Sequence, residues 1–504
     1  MTLTIIMLLP LIGAAVIAAI PSAQTTLVKQ VALATSVVVA VATIVKSLNF
    51  NVDQTALQFR QSYSWIPSFA INWALGVDGI ALVLILMSVI LAPVVILAGW
   101  HESEGGRWGV KTFYILILVL ETMMIGVFAA TDLFLFYVFF EAMLIPVYFL
   151  IGGYGSGERA AAAVKFLLYS LFGGLLMLAS IIGLYVISGN NGGHTFDITA
   201  LSELHTSMSS TTQNMLFLGF FIAFAIKAPL WPFHTWLPDA AKSATAGSSV
   251  LLLGVLDKVG TYGMIRFCLS IFPDASKTFT PVIIVLSLIS ILYGAFLAIG
   301  AKDIKRLIAY TSISHFGFIT LGIFAMTSQA QSGATLYMFN HGFSTAALFL
   351  VAGWMAARRG STTIADFGGL QRVTPIMAWS FFIAGMSSLA LPGLSSFVSE
   401  FLVLVGTFTR YPVAAVIATF GIVLAALYIL IPVQRALHGP TTPGNENLKD
   451  LNLREKVAIA PVIAIIVVLG FYPSPLLKII NPAAAHVVSQ QGYSDPAPTM
   501  NGGK

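Results

Sequence analysis

The chain has 504 residues, of which 58% are hydrophobic and 9% are charged, and its mean hydropathy is +0.91. That composition excludes a soluble redox enzyme, because it leaves too little polar surface for a water-facing fold. The net charge of +5 does not predict nucleic-acid binding, since the 25 lysines and arginines are scattered over short loops. The single cysteine, Cys268, excludes an internal disulfide and a cysteine-ligated iron–sulfur or zinc site.

Apolar runs long enough to cross hydrocarbon recur along the whole chain, which predicts an all-α polytopic membrane protein with about fourteen transmembrane helices. The first run lacks a basic leader, so we interpret it as a spanning helix rather than a cleaved signal. No connection is long enough for a folded domain, so residues 1–504 are predicted to form a single membrane domain. The predicted spans cover about 3–20, 28–47, 78–99, 112–130, 133–152, 164–187, 214–238, 245–271, 280–300, 306–326, 333–356, 376–408, 412–434 and 456–473.

Lysine and arginine indicate the orientation of such a protein in its membrane, because they are retained on the cytoplasmic side. Counted over the loops and helix ends, they lie mostly on the side opposite the two termini. We therefore predict that both termini lie on the outer side. We favour a bacterial inner (plasma) membrane over an organelle.

The stretch FAIKAPLWPFHTWLPDA, residues 224–240, carries a lysine and several helix breakers inside an apolar run. An ammonium at bilayer depth costs roughly 3 to over 10 kcal/mol, so Lys227 must face protein or water. Pro229 removes a helix hydrogen bond and frees backbone carbonyls within reach of the lysine. A charge beside a broken helix indicates an ion or proton path, for which His234 is a secondary candidate.

A second long apolar segment is interrupted at Pro392-Gly393, in the other half of the chain. Paired interrupted segments are typical of inverted-repeat transporters with sites at the breaks, although two proline-containing helices also arise by chance in a large bundle. Glu400 follows in LPGLSSFVSEFLVL. We interpret it as a proton entry or exit point; the alternative is a glutamate near the membrane interface.

Three further ionisable residues lie within predicted spans. Glu141 falls near the middle of DLFLFYVFFEAMLIPVYFL, with Pro146 one turn further on. A buried lysine needs a counter-charge, so we interpret Glu141 as a proton-carrying partner of Lys227 rather than a cap on a kinked neighbour. Lys258 follows Asp257 in LLLGVLDKVGTYGMI. Adjacent helical residues point about 100° apart, so these two should serve different partners, the alternative being a structural ion pair.

Two histidines lie in apolar segments that also hold hydroxyl side chains. His315 occurs in AYTSISHFGFITLG and His341 in FNHGFSTAALF. Histidine can relay a proton near neutral pH, and the alternative is a buried histidine that satisfies backbone carbonyls. No metal site is predicted, since neither has a second ligand three or four residues on, and no phosphate-binding loop follows a strand. Glu121, in ILVLETMMIGVF, is a weaker candidate for the same path.

Four segments carry a resemblance to the proton-translocating, antiporter-like membrane subunits of respiratory complex I, a family related to the large subunits of Mrp-type cation/proton antiporters. The resemblance covers nearly all of the chain. Glutamate at position 400 differs from the lysine of chains L and N of that complex, and the chain is expected to end in a short polar tail after about Pro482, without chain L's long amphipathic helix. The most specific segments are TDLFLFYVFFEAMLIPVYFLIGGYG (131–155), KAPLWPFHTWLPDA (227–240), KDIKRLIAYTSISHFGF (302–318) and LPGLSSFVSEF (391–401).

The resemblance implies a role for each matching position. It implies an acid that modulates a proton-binding lysine at the first break, a connecting lysine, a central pair of histidines, and a terminal acid on the second broken helix. In that order these are Glu141, Lys227, Lys258, His315, His341 and Glu400. Helices four to eight, about 112–271, and nine to thirteen, about 280–434, would form two inverted half-channel repeats of five helices, each with a proline-broken helix.

The sequence therefore predicts a proton-pumping subunit driven by electron transfer elsewhere in a larger assembly. NADH, FMN, the iron–sulfur clusters and quinone are expected in partner subunits, with no cofactor in this chain. The expected partners are other membrane subunits of complex I, including antiporter-like neighbours such as chains L and N. A subunit of an Mrp-type Na⁺/H⁺ antiporter or of a membrane-bound hydrogenase would share every buried charge, and a non-transporting scaffold is the remaining alternative.

Overall fold

The structure, a computed structural model, describes residues 2–496, most of which are helical. Several helices begin where the sequence supplies a cap: Thr2, Asp78 and Asp132 each accept hydrogen bonds from amides in the first turn of the following helix. The helices of the first half are α1 (Leu3–Ala19), α2 (Thr25–Ser47), α3 (Gly79–Ala98), α4 (Gly109–Ala129), α5 (Leu133–Ala142), α6 (Leu144–Tyr154), α7 (Arg159–Asn190), α8 (Ile198–Glu203), α9 (Ser210–Lys227), α10 (Leu237–Ser243), α11 (Ala246–Leu251) and α12 (Asp257–Gly263).

The second half is built in the same way from long helices joined by short connections. π-helical turns at Leu252–Leu256 and Met264–Leu269 make α11 and α12 parts of one continuous helix, Ala246–Leu269. The remaining helices are α13 (Pro273–Ile299), α14 (Ile304–Phe324), α15 (Ser328–Arg359), α16 (Leu370–Val373), α17 (Pro375–Ser388), α18 (Ser395–Phe408), α19 (Pro412–Leu437), α20 (Leu453–Phe471) and α21 (Ser474–Gln490).

Helix length and composition confirm a polytopic membrane protein. Among residues 2–496, nine helices are long and apolar enough to cross a membrane, or ten if the pair α20 and α21, bent by 71°, is one span. The count is below the predicted fourteen partly because the two interrupted spans are each divided between shorter helices. α1, with 17 residues, also falls short.

The centre of the bundle is formed by α14, α15 and the continuous helix Ala246–Leu269. The last of these is completely buried and α14 is almost so. In contrast, less than half of the apolar stretch is buried in each of the outer helices α2, α7, α13 and α19. These four helices therefore form the lipid-facing periphery. Polar side chains on the three central helices are therefore enclosed by protein.

Two parts of the structure differ from the prediction. The connection 48–77 contains an antiparallel hairpin of β1 (Gln58–Ile66) and β2 (Ile71–Val77). The prediction of a polar tail after about Pro482 is wrong, because α21 continues through this proline to Gln490. Its apolar residues, including Ile480, Ala483 and Val487, lie on one helical face that is buried, and the helix packs on α3 and α15.

The two halves of the chain share a backbone detail around the start of α5 and of α14. An aspartate, Asp132 or Asp303, caps each helix by accepting two amide hydrogen bonds. The helix that follows further on, α7 or α15, has 32 residues in both halves. In each half, two backbone hydrogen bonds also join the capping segment to a later loop. In the first half they run from Leu133 N to Phe196 O (2.8 Å) and from Ile198 N to Thr131 O (3.2 Å). In the second half they run from Ile304 N to Thr362 O and from Ile364 N to Lys302 O (both 2.9 Å).

The two interrupted helices share a set of backbone hydrogen bonds at their breaks. Pro229 has no amide proton to donate to the carbonyl of Ala225, which instead accepts a hydrogen bond from the amide of Leu230. Each break contains three bonds that span four, five and three residues in turn. They are Ala228 N to Phe224 O, Leu230 N to Ala225 O and Phe233 N to Leu230 O, and Leu389 N to Gly385 O, Leu391 N to Met386 O and Leu394 N to Leu391 O.

Candidate functional site

Lys227 is the last residue of α9, at the first break. Its ammonium is buried and makes no hydrogen bond to any of residues 2–496. It lies 4.7 Å from the ring centroid of Phe140 and 5.9 Å from that of Phe166. Aromatic faces attract a cation, but they replace only part of the lost hydration. A charged ammonium therefore costs more at this position than a neutral amine does.

Side chains from neighbouring segments hold the first break in place. The indole of Trp236 donates to the carbonyl of Ile226 at 2.9 Å, which satisfies one of the carbonyls left free at the end of α9. The amide of Trp231 donates to the hydroxyl of Ser290 on α13 at 2.8 Å. These contacts fix the backbone on both sides of Lys227.

Glu141 lies in the last turn of α5, next to Phe140. Pro146 cannot donate to the carbonyl of Ala142, which interrupts the helix there, but α5 and α6 together form one span, Leu133–Tyr154, with Glu141 near its middle. Its Oε1 is buried without a hydrogen-bond partner and lies against Gly174 of α7, where an added Cβ would be only 1.6 Å away. The carboxylate of Glu141 forms no ion pair within 4.0 Å with the ammonium of Lys227.

Lys258 is held at the centre of the molecule by the π-helical turn that precedes it. Its ammonium donates to the carbonyl of Leu253 and lies 2.7 Å from Nδ1 of His341. One of these two nitrogens must donate and the other accept, so a single proton can belong to either group. The far ring nitrogen, Nε2, of His341 is 3.2 Å from the hydroxyl of Ser312 and 3.1 Å from that of Thr345.

Asp257 forms no ion pair within 4.0 Å with its neighbour Lys258. Both carboxylate oxygens are buried, and neither has a hydrogen-bond partner among residues 2–496. A structural ion pair between the two side chains is therefore excluded by this geometry. Asp257 belongs instead to the buried charges that lie between the first break and Lys258.

A second group of side chains extends from the central histidines to the second broken helix. The ring centroids of His315 and His341 are 5.2 Å apart. Nε2 of His315 lies 3.4 Å from the hydroxyl of Tyr428 on α19. The Tyr337 hydroxyl lies beside the carboxyl of Glu400, without a hydrogen bond of ordinary geometry. Glu400 is 4% exposed, so its carboxyl is enclosed by protein.

Hydroxyl and amide groups line the second break. The hydroxyl of Ser344 on α15 lies 2.6 Å from that of Ser387 and 3.0 Å from that of Ser396, which bridges the two halves of the interrupted helix. Asn340 donates to the carbonyl of Ser395 at 2.7 Å. These groups supply polar partners where the helix has none, without adding a charge.

Two predicted candidates lie apart from this row of groups. Glu121 accepts a hydrogen bond from Ser36 at 3.0 Å, in the interface of α2 and α4. His234 stacks edge-on against Tyr293 at 5.3 Å, and its Nδ1 has no partner among residues 2–496. Within the same range, no group of three or more histidine, cysteine, aspartate or glutamate side chains could hold a metal ion.

The two tyrosines beside the histidines and Glu400 were not predicted. Tyr337 precedes His341 by four residues on α15, and that spacing places both on one helical face, so the pattern in ATLYMFNHGF could have indicated it. Tyr428 lies on a helix far along the chain from His315. No local signal in the sequence connects these two residues.

A row of buried ionisable groups, running between two broken helices of a polytopic bundle, defines a class of membrane-embedded subunits that move small cations or protons. The chain belongs to the NADH:quinone oxidoreductase/Mrp antiporter membrane family, whose model matches residues 130–425. This assignment confirms the resemblance found in the sequence.

Individual relatives show which members of the family this chain is similar to. NADH-quinone oxidoreductase subunit M of Mycobacterium tuberculosis is 48% identical over 529 aligned positions, which cover 99% of this chain and 96% of that protein. A chain of respiratory complex I from Thermus thermophilus superposes with a TM-score of 0.88 at 29% identity, covering 98% of this chain and 100% of that one. A chain of the Mrp complex from Dietzia superposes with a TM-score of 0.84 at 22% identity, covering 97% and 98%, and so shares the fold.

Proposed function

We propose that this chain is a proton-pumping, antiporter-like membrane subunit of NADH-quinone oxidoreductase, or complex I. It couples electron transfer from NADH to quinone in partner subunits to proton translocation. The observation that carries the proposal is the buried row of titratable side chains that includes Lys258, His341 and His315 and ends at Glu400. The extent of the likeness to subunit M of such enzymes supports the same function.

In the proposed pathway a proton loads on Lys227 while Glu141 is near and leaves toward Lys258 when this pair separates. Lys258 and His341 then share it across their 2.7 Å contact. His315 passes it on toward Glu400. Each of these groups lies in an interior where an unpaired charge is costly. A proton that arrives at one group therefore favours the release of a proton from the next.

The proposed architecture consists of fourteen spans in a single domain. Residues of about 112–271 and about 280–434 form two inverted half-channel repeats, with both termini on the outer side of the membrane. The matched aspartate caps and the matched hydrogen bonds at the two breaks support a repeated unit. The predominance of lysine and arginine on one side supports the orientation.

The energy for pumping must come from outside the chain. Moving a proton outward against about 100 mV costs roughly 2.3 kcal/mol before any pH gradient. In the proposed assembly NADH, FMN, the iron–sulfur clusters and quinone belong to partner subunits. Other membrane subunits of the complex, with chains L and N as antiporter-like neighbours, would transmit the driving change to this one.

A subunit of an Mrp-type Na⁺/H⁺ antiporter, or of a membrane-bound hydrogenase, is the alternative. The likeness of fold to the Mrp complex is consistent with it, but at 22% identity this shows the fold alone. Copurification decides between the two: NADH-oxidising subunits in the purified assembly support our proposal. An assembly of antiporter subunits without them would contradict it.

Replacing Glu141 tests the pathway. Glu141→Gln keeps the size of the side chain but removes its charge, so Lys227 loses its nearby acid. We expect NADH oxidation to remain measurable while protons translocated per NADH decrease, measured in inside-out vesicles containing the intact assembly. Glu158→Gln, the same change at an exposed site, is the control. Normal pumping by Glu141→Gln would remove Glu141 from the mechanism.

A further inference from the structure

A cleft at one end of α13 and α19 combines apolar walls with a cationic rim. Its volume is about 410 Å³. Ile299, Leu427 and Ile431 are among its apolar lining residues, and its charged lining residues are Lys302 and Arg435. No aspartate or glutamate is among the described residues that line it. A cavity of this kind suits an amphiphile that carries a negative charge.

The two cations of this cleft are not neutralised by the protein around them. Lys302 and Arg435 are both exposed, and neither forms an ion pair within residues 2–496. Asp303, which adjoins Lys302 in the chain, is engaged in capping α14 and accepts a hydrogen bond from Thr362 at 2.5 Å. The rim therefore carries two positive charges that a ligand could satisfy.

Two other polar clefts contain acids as well as cations. In the larger, of about 800 Å³, Arg358 and Glu455 form an ion pair of 2.5 Å. In the other, of about 460 Å³, Asp239 lies 2.8 Å from Lys165 and 2.7 Å from Arg306. Each of these two clefts is lined by three lysine or arginine residues and two acids, whereas the cleft of Lys302 and Arg435 has two cations and no acid among its described lining residues.

The position of the cleft indicates a lipid rather than a free anion. Phe296 on α13 is 60% exposed, and Phe420 and Val423 on α19 are 61% and 60% exposed. In a membrane these side chains face hydrocarbon, whereas cations at helix ends lie at the level of the headgroups. One molecule with an anionic headgroup and apolar chains would satisfy both surfaces.

We propose that this cleft binds an anionic phospholipid, with its phosphate between Lys302 and Arg435 and its acyl chains along the exposed faces of α13 and α19. The carbonyl ends of both helices lie at the same rim and repel an anion, so the two cations supply the attraction. Tyr428, which contacts His315, forms part of the lining. The proposal does not depend on the proton pathway.

The test uses the intact purified assembly in phosphatidylcholine vesicles that contain increasing fractions of photoactivatable phosphatidylglycerol. We expect saturable labelling of residues 427–435. Each surface cation strengthens the binding of anionic lipid by about fivefold, so Lys302→Gln with Arg435→Gln should raise the half-saturating fraction roughly 25-fold. The control pair, Arg372→Gln with Lys449→Gln, removes the same charge from exposed residues outside the cleft and should leave it unchanged.

Several results would overturn the proposal. An equal change in both double variants would show general attraction to the surface, and so would equal saturation by photoactivatable phosphatidylcholine. Displacement of the label by millimolar inorganic phosphate would assign the site to a free anion. A photoreactive amino acid placed at position 431 should cross-link to lipid; cross-linking to another subunit instead would show that a protein covers the cleft. NADH oxidation by each variant checks that the assembly is intact.

Discussion

The two helix breaks share three backbone hydrogen bonds but differ in their side chains and backbone angles. The first, at residues 228–233, and the second, at 389–394, contain the same three hydrogen bonds in the same order. Aligning those bonds sets Lys227 of the first break opposite Ser388 of the second. One break thus ends in a buried ammonium without a hydrogen-bond partner among the described residues, and the other in a cluster of hydroxyl groups.

This difference separates two requirements of an interrupted helix in a membrane. The backbone needs partners for the carbonyls that a break releases, and neutral groups such as Trp236 and Ser344 can satisfy or surround them. A charge is not needed for that purpose. Lys227 is consequently better explained by function than by structural support, and the variants below test this distinction.

Lys227→Ala should have the largest effect. It removes the proton-binding group from the first break, and we expect protons translocated per NADH to decrease by at least roughly tenfold. Ser388→Ala, at the corresponding position of the second break, should retain most translocation. Uptake of protons by inside-out vesicles measures both, with the subunit composition of the assembly checked. Equal activity of Lys227→Ala and the wild type would contradict the central assignment.

Gly174→Ala changes no ionisable group but should still reduce pumping, by about threefold. The new methyl group would occupy the space of the Glu141 carboxyl, which must therefore move, and a small misplacement of a reacting group lowers its rate. Gly152→Ala is the matched control, because its Cβ would meet its nearest neighbour at an ordinary 3.4 Å. Proton translocation at constant NADH oxidation is the measurement. Equal values for both variants would show that the position of Glu141 is unimportant.

Ser344→Ala should have the smallest effect, on stability rather than on pumping. It removes the hydroxyl that bridges Ser387 and Ser396, and we expect the free energy of unfolding to decrease by about 1 kcal/mol per lost hydrogen bond. Thermal denaturation of the purified assembly measures this, with exposed Ser489→Ala as the control. A loss of pumping without a loss of stability would instead assign Ser344 to the proton pathway.

The sequence predicted those parts of the site that depend on local chemistry. A lysine before a proline in an apolar run indicates a buried charge at a broken helix, and Lys227 occupies such a place. Adjacent charges on one helix were expected to serve different partners; Lys258 contacts His341, while Asp257 has no hydrogen-bond partner among the described residues. These predictions needed only the periodicity of a helix and the cost of burying a charge.

Features that depend on distant packing were not predicted. The contact of Tyr428 with His315 joins α19 to α14, and no pattern in either segment indicates it. α21 was missed because its polar residues suggested a tail, although every third or fourth residue, such as Ile480 and Val487, is apolar. The hairpin of β1 and β2 was treated as a loop because it lies in the polar connection 48–77.

The π-helical turn at Leu252–Leu256 makes the length of this segment as important as its composition. A π-turn accommodates one residue more than the corresponding α-turn. Deleting one residue there would restore regular α-helical winding and leave the residues that follow in phase, because the π-turn holds the extra residue. The wide turn that presents the carbonyl of Leu253 to the Lys258 ammonium would nevertheless be lost, so the length of the segment should affect the position of this ammonium more than conservative replacements within it do.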